Sequence, residues 1–508
     1  NVMLIRMITQ QRTIIGTLKA TGITDGAVFR HFLQFGLFVG IGGGLLGVGL
    51  GFLLADSMTD LYRQHFEFPS LENYPVWTVN LTGFAVAVLC AMSGSVYAAR
   101  MMLEIEPAAA MRPPPPRSGG VVLFERIVWL WRGLAPDWRL TLRNLSRNRL
   151  RTGVGILSSA LGAGILVCGF MLAQAMAYLV EFQFRLVDRY DVEVAFTREQ
   201  GRNVLSELGQ LPGVASVEPV LDVPCTLENA RHQRKSTITG ITPTARLTIP
   251  RDLQAQPIQI PDQGIVMSRH LAELLDVSAG ERVTLTPIRG RRRPVSVRVA
   301  YIADSYMGLA AYADLSYLSD VLGEQFALTG ARLSLSPGTN SVDSLNARFR
   351  AMQHIESVRL RQETIDSVTD TLIQNHWVYL VILIPLAGVI FFGAIANTSI
   401  VNLSERQRDV ATLHVLGYSA RMIRAQFLRE SVLTGLTGTF LGLPLGWIMT
   451  AVTAAFYRND AARLPVISAP WVWATTLTLA AVFTATAHGI IAFAIHRTDF
   501  LAALKTRE

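Results

Sequence analysis

Residues 17–51 of the chain, TLKATGITDGAVFRHFLQFGLFVGIGGGLLGVGLG, align without gaps on residues 412–446, TLHVLGYSARMIRAQFLRESVLTGLTGTFLGLPLG. Eleven of the 35 aligned positions are identical, namely Thr17/Thr412, Leu18/Leu413, Gly22/Gly417, Phe32/Phe427, Leu33/Leu428, Gly40/Gly435, Gly43/Gly438, Leu46/Leu441, Gly47/Gly442, Leu50/Leu445 and Gly51/Gly446. Leu- and Gly-rich segments match by chance at about four such positions, because these residues are among the commonest. Each copy runs from a short polar segment into an apolar span. The repeat therefore predicts a duplicated membrane protein.

The composition supports a membrane protein, since 50% of the 508 residues are hydrophobic and only 17% are charged. Six stretches without Asp, Glu, Lys or Arg are long enough to cross about 30 Å of hydrocarbon. They are Leu33–Ala55, Thr78–Ala99, Thr152–Val180, Trp377–Asn402, Ser431–Tyr457 and Leu464–His496. A buried helix of a soluble protein could account for one of these stretches, but six together predict about six transmembrane helices.

The distribution of Lys and Arg predicts the orientation of the spans, because cytoplasmic loops carry an excess of these residues. Residues 100–151 contain ten arginines against four acids, and residues 403–430 contain five arginines. The loop 56–77 has Arg63 alone against four acids. Both copies of the repeat are therefore expected in the cytoplasm, with residues 181–376 on the outer side. This asymmetry, together with the outer domain, accounts for the net charge of +8 without nucleic-acid binding.

The order of these features predicts five regions. Residues 1–112 form the C-terminal part of a first repeat with spans 33–55 and 78–99, and residues 113–136, which include PPPPRSGG, form a linker. Residues 137–180 hold a basic helix and the third span, and residues 181–376 form an extracytoplasmic domain. Residues 377–508 form a second repeat with spans 377–402, 431–457 and 464–496 around a coupling segment at 403–430. The first repeat lacks what precedes the second, so we expect a longer protein upstream of Asn1.

The segment Asp137–Arg151, which opens the second unit, alternates apolar residues with arginines. Such a helix can lie at the membrane interface with its cations against anionic headgroups. An ordinary basic flank of the third span fits the same residues equally well. Both interpretations remain open from the sequence.

The outer domain reads as an α+β fold. Apolar and polar residues alternate in five strand candidates, Asp191–Phe196, Ser236–Ile241, Arg282–Ile288, Val295–Ile302 and Ala331–Ser336. Helices are predicted at Gln200–Leu211, Ser268–Leu275, Leu315–Leu322 and Val342–Met352. A helix followed by a V-x-x-V strand occurs twice, at 204–217 and 345–358, and this pattern predicts two ferredoxin-like βαβ halves.

Motifs for chemistry are absent from the sequence. It contains no G-x-x-x-x-G-K-[ST], no H-E-x-x-H, no C-x-x-C and no G-x-S-x-G, and three cysteines cannot make a disulfide framework. We therefore expect no catalytic, cofactor or metal site in this chain. No charged residue lies in mid-span, which argues against an ion-coupled carrier, because such carriers need titratable groups at depth.

Two repeated features point to function. Three glycines at four-residue spacing occur in each copy and lie on one helix face, where a neighbouring helix can approach closely; they are Gly43, Gly47, Gly51, Gly438, Gly442 and Gly446. Each stripe is preceded by a polar segment that predicts a helix ending at a glycine, Gly417 in the second copy, and a further helix from about Ser419. A helix–Gly–helix unit below the membrane is a structure that a soluble motor could grip.

The run Glu405–Ser419 (ERQRDVATLHVLGYS), the Gly-rich span after it, Leu142–Thr152 and Asp499–Lys505 resemble the FtsX/MacB-type permeases of bacterial ABC transporters, in their large duplicated form. Residues 264–283 look like part of a MacB-like periplasmic core domain. The resemblance implies an α-helical protein of the bacterial inner membrane with two FtsX-like repeats and one α+β periplasmic domain. It also implies a separate cytoplasmic ATPase, in dimeric form, that binds the ATP and Mg²⁺.

Carried over to this chain, the resemblance assigns ATPase contact to residues of both coupling segments, namely Leu18, Lys19, Gly22, Arg408, Asp409, Leu413, Gly417 and Arg421. The first copy departs from the pattern, because Ile14 stands where the second copy has Asp409, and Gln10 where it has Glu405. We therefore predict that the two coupling segments bind their ATPase subunits unequally.

The sequence leads to three hypotheses about function. The first is an ABC permease that exports or extracts a hydrophobic substrate (lipid, lipoprotein or peptide). The second is a transmembrane mechanotransmitting scaffold that regulates a periplasmic enzyme, and the shape of the outer domain, an apolar groove or a polar surface, would discriminate the two. The missing motifs disfavour a membrane-embedded enzyme. The substrate, the direction of transport and a periplasmic partner are left open by the sequence.

Overall fold

The computed structural model describes residues 12–65, 74–103, 128–147, 149–288, 293–303, 306, 308–324, 326–336, 348–349, 352–370, 379–393, 417–457 and 463–496. The coupling residues Arg408, Asp409 and Leu413 lie outside the described residues, as does the closing motif Asp499–Lys505. Helix candidate Val342–Met352 and span candidate Trp377–Asn402 are described only in part.

Helices make up the N-terminal third of the described chain. They are α1 (Arg12–Ala20), α2 (Asp25–His65), α3 (Trp77–Leu103), α4 (Val128–Gly133), α5 (Pro136–Arg147) and α6 (Arg149–Glu181), which continues into a π-helix at Phe182–Val187. The outer domain follows with β1 (Val192–Gln200), α7 (Asn203–Gly209), β2 (Val214–Asn229), β3 (His232–Ile241), β4 (Ile265–Ser268), α8 (Arg269–Leu275), β5 (Arg282–Pro287), β6 (Val295–Ala303), β7 (Ala310–Asp314), α9 (Leu315–Leu322), β8 (Leu328–Leu335), β9 (Ile355–Leu360) and α10 (Arg361–Val368). The chain then returns to helices α11 (Tyr379–Gly393), α12 (Ala420–Phe456) and α13 (Pro470–His496).

Four of the described helices are long and apolar enough to cross a membrane, and they contain four of the six predicted spans. The apolar segments are Asp25–Asp60, Trp77–Tyr97, Thr152–Val187 and Ala425–Phe456. The fourth predicted span is described as the shorter apolar helix α11. The sixth becomes helical at Pro470 rather than Leu464 and is 27 residues long, but it is not among the four candidate spans of the described residues. The count of six therefore stays a prediction.

The described chain divides into two compact units. The first comprises residues 1–163, 386–442 and 477–508, and the second comprises residues 164–385 and 443–476. The α2–α3 hairpin of the first repeat lies in the first unit. The outer domain lies in the second unit, together with the segments 164–181 and 443–456 of α6 and α12.

In the outer domain, one half of the sheet has the predicted ferredoxin-like arrangement. Strands β2, β8, β1 and β9 lie side by side in that order, and every neighbouring pair is antiparallel. Strands β1 and β2 are joined through α7 and are therefore parallel to each other with β8 between them, which is a split βαβ unit. The prediction of ferredoxin-like pairing is confirmed by this register.

The other half of the sheet closes on itself. Strands follow the order β3, β7, β4, β6, β5 and β2, and β2 also pairs with β3, so the six form a ring. Strand β2 is 16 residues long and belongs to both halves. A single apolar core fills the domain, with fully buried side chains that include Leu208, Leu221, Leu227, Ile238, Ile265 and Met267. This shared strand and core make the outer domain one mechanical body.

Candidate functional site

The first coupling segment is a helix–Gly–helix unit made of α1 and the start of α2. Helix α1 ends at Gly22, whose φ of 94° is the left-handed conformation that glycine adopts at little cost. The amide of Ile23 donates to the carbonyl of Leu18 (3.0 Å), and the amide of Gly22 donates to that of Lys19 (3.2 Å). These two bonds form a Schellman motif, which fixes the angle between the two helices.

Two of the predicted ATPase contacts in this segment are accessible and one is engaged within the chain. Leu18 is 39% exposed and Gly22 is exposed. The Lys19 side chain is only 11% exposed, and its Nζ donates to the carbonyl of Leu103 at 3.0 Å and pairs with Asp25 Oδ1 at 2.9 Å. Lys19 therefore ties α1 to the start of α2 and to the end of α3. Its contact with an ATPase stays a prediction.

The second coupling segment is described from Gly417 onward, and this glycine has the same left-handed conformation as Gly22. Gly417 has a φ of 90°, as the sequence predicts for a helix-terminating glycine. Helix α12 then begins at Ala420, and the amide of Met422 lies 3.4 Å from the hydroxyl of Ser419, which is the predicted N-cap. Arg421, a predicted ATPase contact, is exposed one residue into this helix.

The glycine stripe of the second copy packs directly on α6. A Cβ added at Gly438 would lie 2.5 Å from Ser159 Cβ, and one added at Gly442 would lie 2.6 Å from the carbonyl oxygen of Ala160. Gly446 shows the same closeness, with 2.5 Å to Val167 Cβ. No real Cβ fits at such distances, so these three glycines are what lets the two helix backbones approach.

In the first copy the glycines that contact α3 differ from the predicted stripe, whose role in helix packing stays a prediction. No described atom lies within 4 Å of a Cβ added at Gly43, Gly47 or Gly51. The close approach to α3 is made instead by a second stripe at the same spacing, Gly36, Gly40 and Gly44. The two stripes differ because Gly44 follows Gly43 by one residue, which turns the helix face by about 100°.

A cluster of charged residues joins the end of α6 to the outer domain. Arg332, on β8, has a side chain that is 11% exposed, and its guanidinium lies 3.1 Å from Glu193 Oε1 and 3.9 Å from Asp188 Oδ1. It also donates to the hydroxyl of Thr248 at 2.5 Å and lies over the ring of Tyr190. Asp188 directly follows the π-helix, so Arg332 connects the end of the membrane helix to the middle of the sheet.

Burial raises the pKa of Asp188 and Asp222 beside this cluster. For Asp188 the loss of hydration exceeds the opposing attraction of Arg332. For Asp222 it exceeds the effect of the Thr239 hydroxyl, which donates to the carboxylate at 2.7 Å, and that of Arg332. The Arg332 guanidinium therefore faces several acids in a poorly hydrated place and offsets only part of the lost hydration of Asp188 and Asp222.

A second arginine ties the two chain crossings between membrane and domain to each other. Arg361, at the start of α10, donates to the carbonyl of Phe184 in the π-helix at 2.9 Å and pairs with Asp191 Oδ1 at 3.1 Å. The other oxygen of Asp191 accepts from the amide of Leu335 at 2.8 Å. The segment that enters the domain and the segment that leaves it are thus held together next to β8.

The cavity at this junction is small. Its volume is about 10 Å³, room for about one water molecule, and its lining includes Phe182, Gln183, Arg251 and Tyr312. Groups of three or more His, Cys, Asp or Glu that could hold a metal ion are absent from the described residues. The cysteines Cys90, Cys168 and Cys225 are free thiols, and burial raises the pKa of Cys225 to about 12. The charged contacts beside this cavity connect the end of α6 to the sheet of the outer domain.

No sequence motif indicates a role for Arg332, Arg361, Asp188 or Asp191. The available signal is a lone arginine in an apolar strand, ARLSL, and a lone acid in another, VEVAF. Only the antiparallel register that places Glu193 opposite Arg332 gives those two charges a meaning.

Paired apolar helices, a left-handed glycine followed by a new helix before each glycine-rich span, and an α+β domain inserted between spans define a membrane transport subunit of permease type. The family model described as FtsX-like permease C-terminal matches residues 1–107 and 378–499, which are the two predicted repeats. This match confirms the resemblance to FtsX-like permeases of ABC transporters that the motifs predicted. The chain is a permease subunit with an extracytoplasmic domain.

A relative with a related sequence is the lipoprotein-releasing system transmembrane protein LolC of Neisseria meningitidis serogroup B. It is 23% identical over 284 residues, which are 51% of this chain and 67% of the relative.

Two solved structures resemble the outer part of the chain. The periplasmic region of MacB from Actinobacillus actinomycetemcomitans matches with 10% identity and a TM-score of 0.26, over 37% of this chain and 97% of the MacB fragment. The extracellular domain of the noncanonic ABC-type transporter YknZ from Gram-positive bacteria matches with 14% identity and a TM-score of 0.24, over 34% and 98%. Scores of this size carry no argument about function.

Proposed function

We propose that this permease subunit couples ATP hydrolysis by a separate cytoplasmic ATPase to motion of its extracytoplasmic domain. The observation that carries the proposal is the recurrence of one geometry, a left-handed glycine at Gly22 and Gly417 followed by a helix that becomes a membrane span. Each coupling segment continues without a break into such a span, so a displacement of the segment moves the span. ATP and Mg²⁺ would be bound by the partner, and the membrane would be the bacterial inner membrane.

The tied junction supports transmission to the outer side. Arg332 and Arg361 hold the end of α6, the start of α10 and the sheet together through charged hydrogen bonds. A movement of the outer end of α6 is then passed to the whole domain, because β2 and the core make that domain one body.

For the substrate we propose a lipid, lipoprotein or hydrophobic peptide that the motion extracts or exports. The relative LolC is named for lipoprotein release, and this supports the substrate class without fixing it. The ATPase contacts would be those of both coupling segments, with Ile14, which is 59% exposed, presenting an apolar surface where the second copy has Asp409.

A reconstitution experiment tests the proposal. The full chain in lipid nanodiscs is combined with the Walker-motif ATPase that co-purifies with it, and ATP hydrolysis is measured with and without the permease. Stimulation by the permease is expected. An unchanged rate, or the lack of an ATPase in the purified assembly, would contradict the proposed function.

The second candidate is a scaffold that regulates a periplasmic enzyme, and the contacts of Arg332 and Arg361 support it too, because a mechanical connection would serve a regulated partner as well as a transported substrate. Transfer of a fluorescent lipopeptide out of nanodiscs on ATP addition separates the two. Transfer supports the transporter, whereas ATP hydrolysis without transfer supports the scaffold.

A further inference from the structure

Helix α5 presents a polar face to the start of α12. Asp137, Thr141 and Asn144 are spaced by four and three residues, so they lie on one side of the helix. The residues opposite them are Arg429, Gln426 and Glu430. Leu140, an apolar residue of the same helix, is 38% exposed instead. The arrangement differs from that of an interfacial helix which simply keeps its polar residues in water.

Three polar contacts connect the two helices. The guanidinium of Arg429 lies 2.8 Å from Asp137 Oδ2, the amide of Gln426 donates to the hydroxyl of Thr141 at 3.1 Å, and the amide of Asn144 donates to Glu430 Oε1 at 3.0 Å. The ring of Trp138 also lies 5.8 Å from the Arg429 guanidinium. We name this set of contacts the α5–α12 clamp.

Burial distinguishes two of the three contacts from solvated surface pairs. Thr141 is fully buried and Glu430 is only 1% exposed, whereas the side chains of Arg429 and Asp137 are 28% and 44% exposed. A buried carboxylate or hydroxyl is stabilised by its hydrogen bonds, because losing them at depth is destabilising. Asn144 contributes one such bond to Glu430, and Gln426 adds one to the Thr141 hydroxyl, which itself donates to the carbonyl of Asp137 at 2.9 Å.

The clamp lies between the second coupling segment and the next membrane helix. Helix α12 starts directly after Gly417 and Ser419, and the clamp residues occupy its second and third turns. On the other side, α5 ends at Arg147, and the hydroxyl of Thr152, near the start of α6, donates to the carbonyl of Leu145 at 2.9 Å. The clamp thus links the base of α12 to the base of α6.

The first copy cannot build the same contacts. The residues at the positions of Gln426, Arg429 and Glu430 are His31, Gln34 and Phe35. Phe35 is an exposed apolar side chain that cannot accept a hydrogen bond, and it contacts the ring of His31. The first coupling segment is held by Lys19 instead.

We propose that Asp137, Thr141 and Asn144 of α5 are positioning residues for energy coupling. They hold the base of α12 so that displacement of the second coupling segment is passed to α6 rather than lost in independent bending of α12. This inference rests on the proposed function. It adds a role for α5, which the sequence left open between a headgroup-binding helix and a basic flank.

The test uses the full chain in nanodiscs without an ATPase, with Cys90→Ser and Cys168→Ala to remove the accessible thiols. A nitroxide label is placed at the matched positions Arg421→Cys and Gly26→Cys, both exposed in the structure. Thr141→Val keeps the shape of the side chain and removes the acceptor for Gln426. We expect it to shift the label at 421 towards faster motion in the electron paramagnetic resonance spectrum and to leave the label at 26 unchanged.

A charge swap provides the rescue. Arg429→Asp alone should also mobilise the label at 421, and Asp137→Arg combined with Arg429→Asp should restore most of the wild-type spectrum. Unchanged spectra in both single variants would overturn the clamp and leave the proposed function intact. Equal mobilisation at 26 and 421 would also overturn it, because that result reports general loosening.

A second measurement addresses coupling. In the assembly with the co-purifying ATPase, the label is placed at Met422→Cys, which is exposed and is not among the predicted ATPase contacts. Thr141→Val should reduce the ATP-dependent shift of this label while ATP hydrolysis continues. If the assembly with Thr141 intact shows no ATP-dependent shift at 422, the proposed function fails and the role in coupling fails with it, whatever the clamp does to mobility.

Discussion

The two copies of the repeat share a coupling segment and a glycine-rich helix, yet they are held in different ways. In the second copy, the stripe Gly438, Gly442 and Gly446 packs on α6, and three polar contacts fix the base of α12. In the first copy, the matching stripe meets no described atom, and Lys19 ties the coupling segment to the hairpin. Both copies therefore keep a coupling segment with a left-handed glycine before the span, while the residues that anchor this segment and the base of the span differ.

The buried charges of the outer domain and the exposed charges at the end of α2 provide the comparison with the largest expected effect. Replacing Arg332 by Met leaves Glu193, Asp188 and Asp222 without their shared cation, and losing one partner of a buried ion pair costs about 3–5 kcal/mol. The matched control in the first copy is Arg63→Met, because Arg63 pairs with Asp60 at 2.9 Å in an exposed site where such pairs contribute about 0–1 kcal/mol. Thermal unfolding of the full chain in detergent measures both. Equal shifts would show that the outer junction has no special role.

The same junction gives a pH prediction. The pKa of Asp222 is raised above 3.8 by burial, so its protonated form favours the folded state, and stability falls as the pH rises from about 4 through the raised pKa. Asp222→Asn removes this loss and keeps an acceptor for Thr239. The variant should therefore unfold at the same temperature as the wild type in acid and at a higher temperature at neutral pH. A lower unfolding temperature at neutral pH would contradict the assignment.

The glycine stripes provide the next contrast. Gly442→Leu forces a side chain into a space where a Cβ already meets Ala160 and Ala163, and overpacking of this kind costs about 1–3 kcal/mol. Gly47→Leu, the matched change in the first copy, should have little effect on thermal unfolding. A large loss from Gly47→Leu would show that the first stripe is covered by a further helix and would bring the two copies closer together.

Lys19 gives a smaller effect and sharpens the difference in anchoring. Lys19→Met removes the hydrogen bond to Leu103 and the pair with Asp25, and we expect a loss of about 1 kcal/mol because Asp25 is well exposed. The loss should appear as faster amide hydrogen exchange in α1 and at the end of α3, with α12 unchanged. Faster exchange in both coupling segments would contradict separate anchoring.

Much of the fold could be predicted because its signals are local. Gly417 and Ser419 mark a helix end and a helix start, and the five alternating segments of the outer domain all form strands. Helix α9 has the bounds that the sequence predicts. Periodicity and capping chemistry act within one turn or one strand, so they can be read from neighbouring residues.

The parts that escaped prediction depend on long-range pairing. The full extent of β2 was missed because Pro219 and Pro224 interrupt it and normally exclude a long paired strand. Strand β7 is only five residues long. The clamp pairs Asp137 with Arg429, and the junction pairs Asp191 with Arg361, across 292 and 170 positions. Nothing near either residue in the sequence indicates its partner.

The difference between the coupling segments allows a direct test of the central claim that a separate ATPase drives this permease through these segments. ATP hydrolysis by the reconstituted assembly is measured with Asp409→Arg and with Gln10→Ser. Gln10 is the residue of the first copy that aligns with Glu405. The account predicts that Asp409→Arg strongly reduces stimulation and that Gln10→Ser leaves it near the wild-type rate. Equal effects of the two substitutions would contradict unequal contributions of the two coupling segments. An assembly in which the permease never stimulates ATP hydrolysis would contradict the account as a whole.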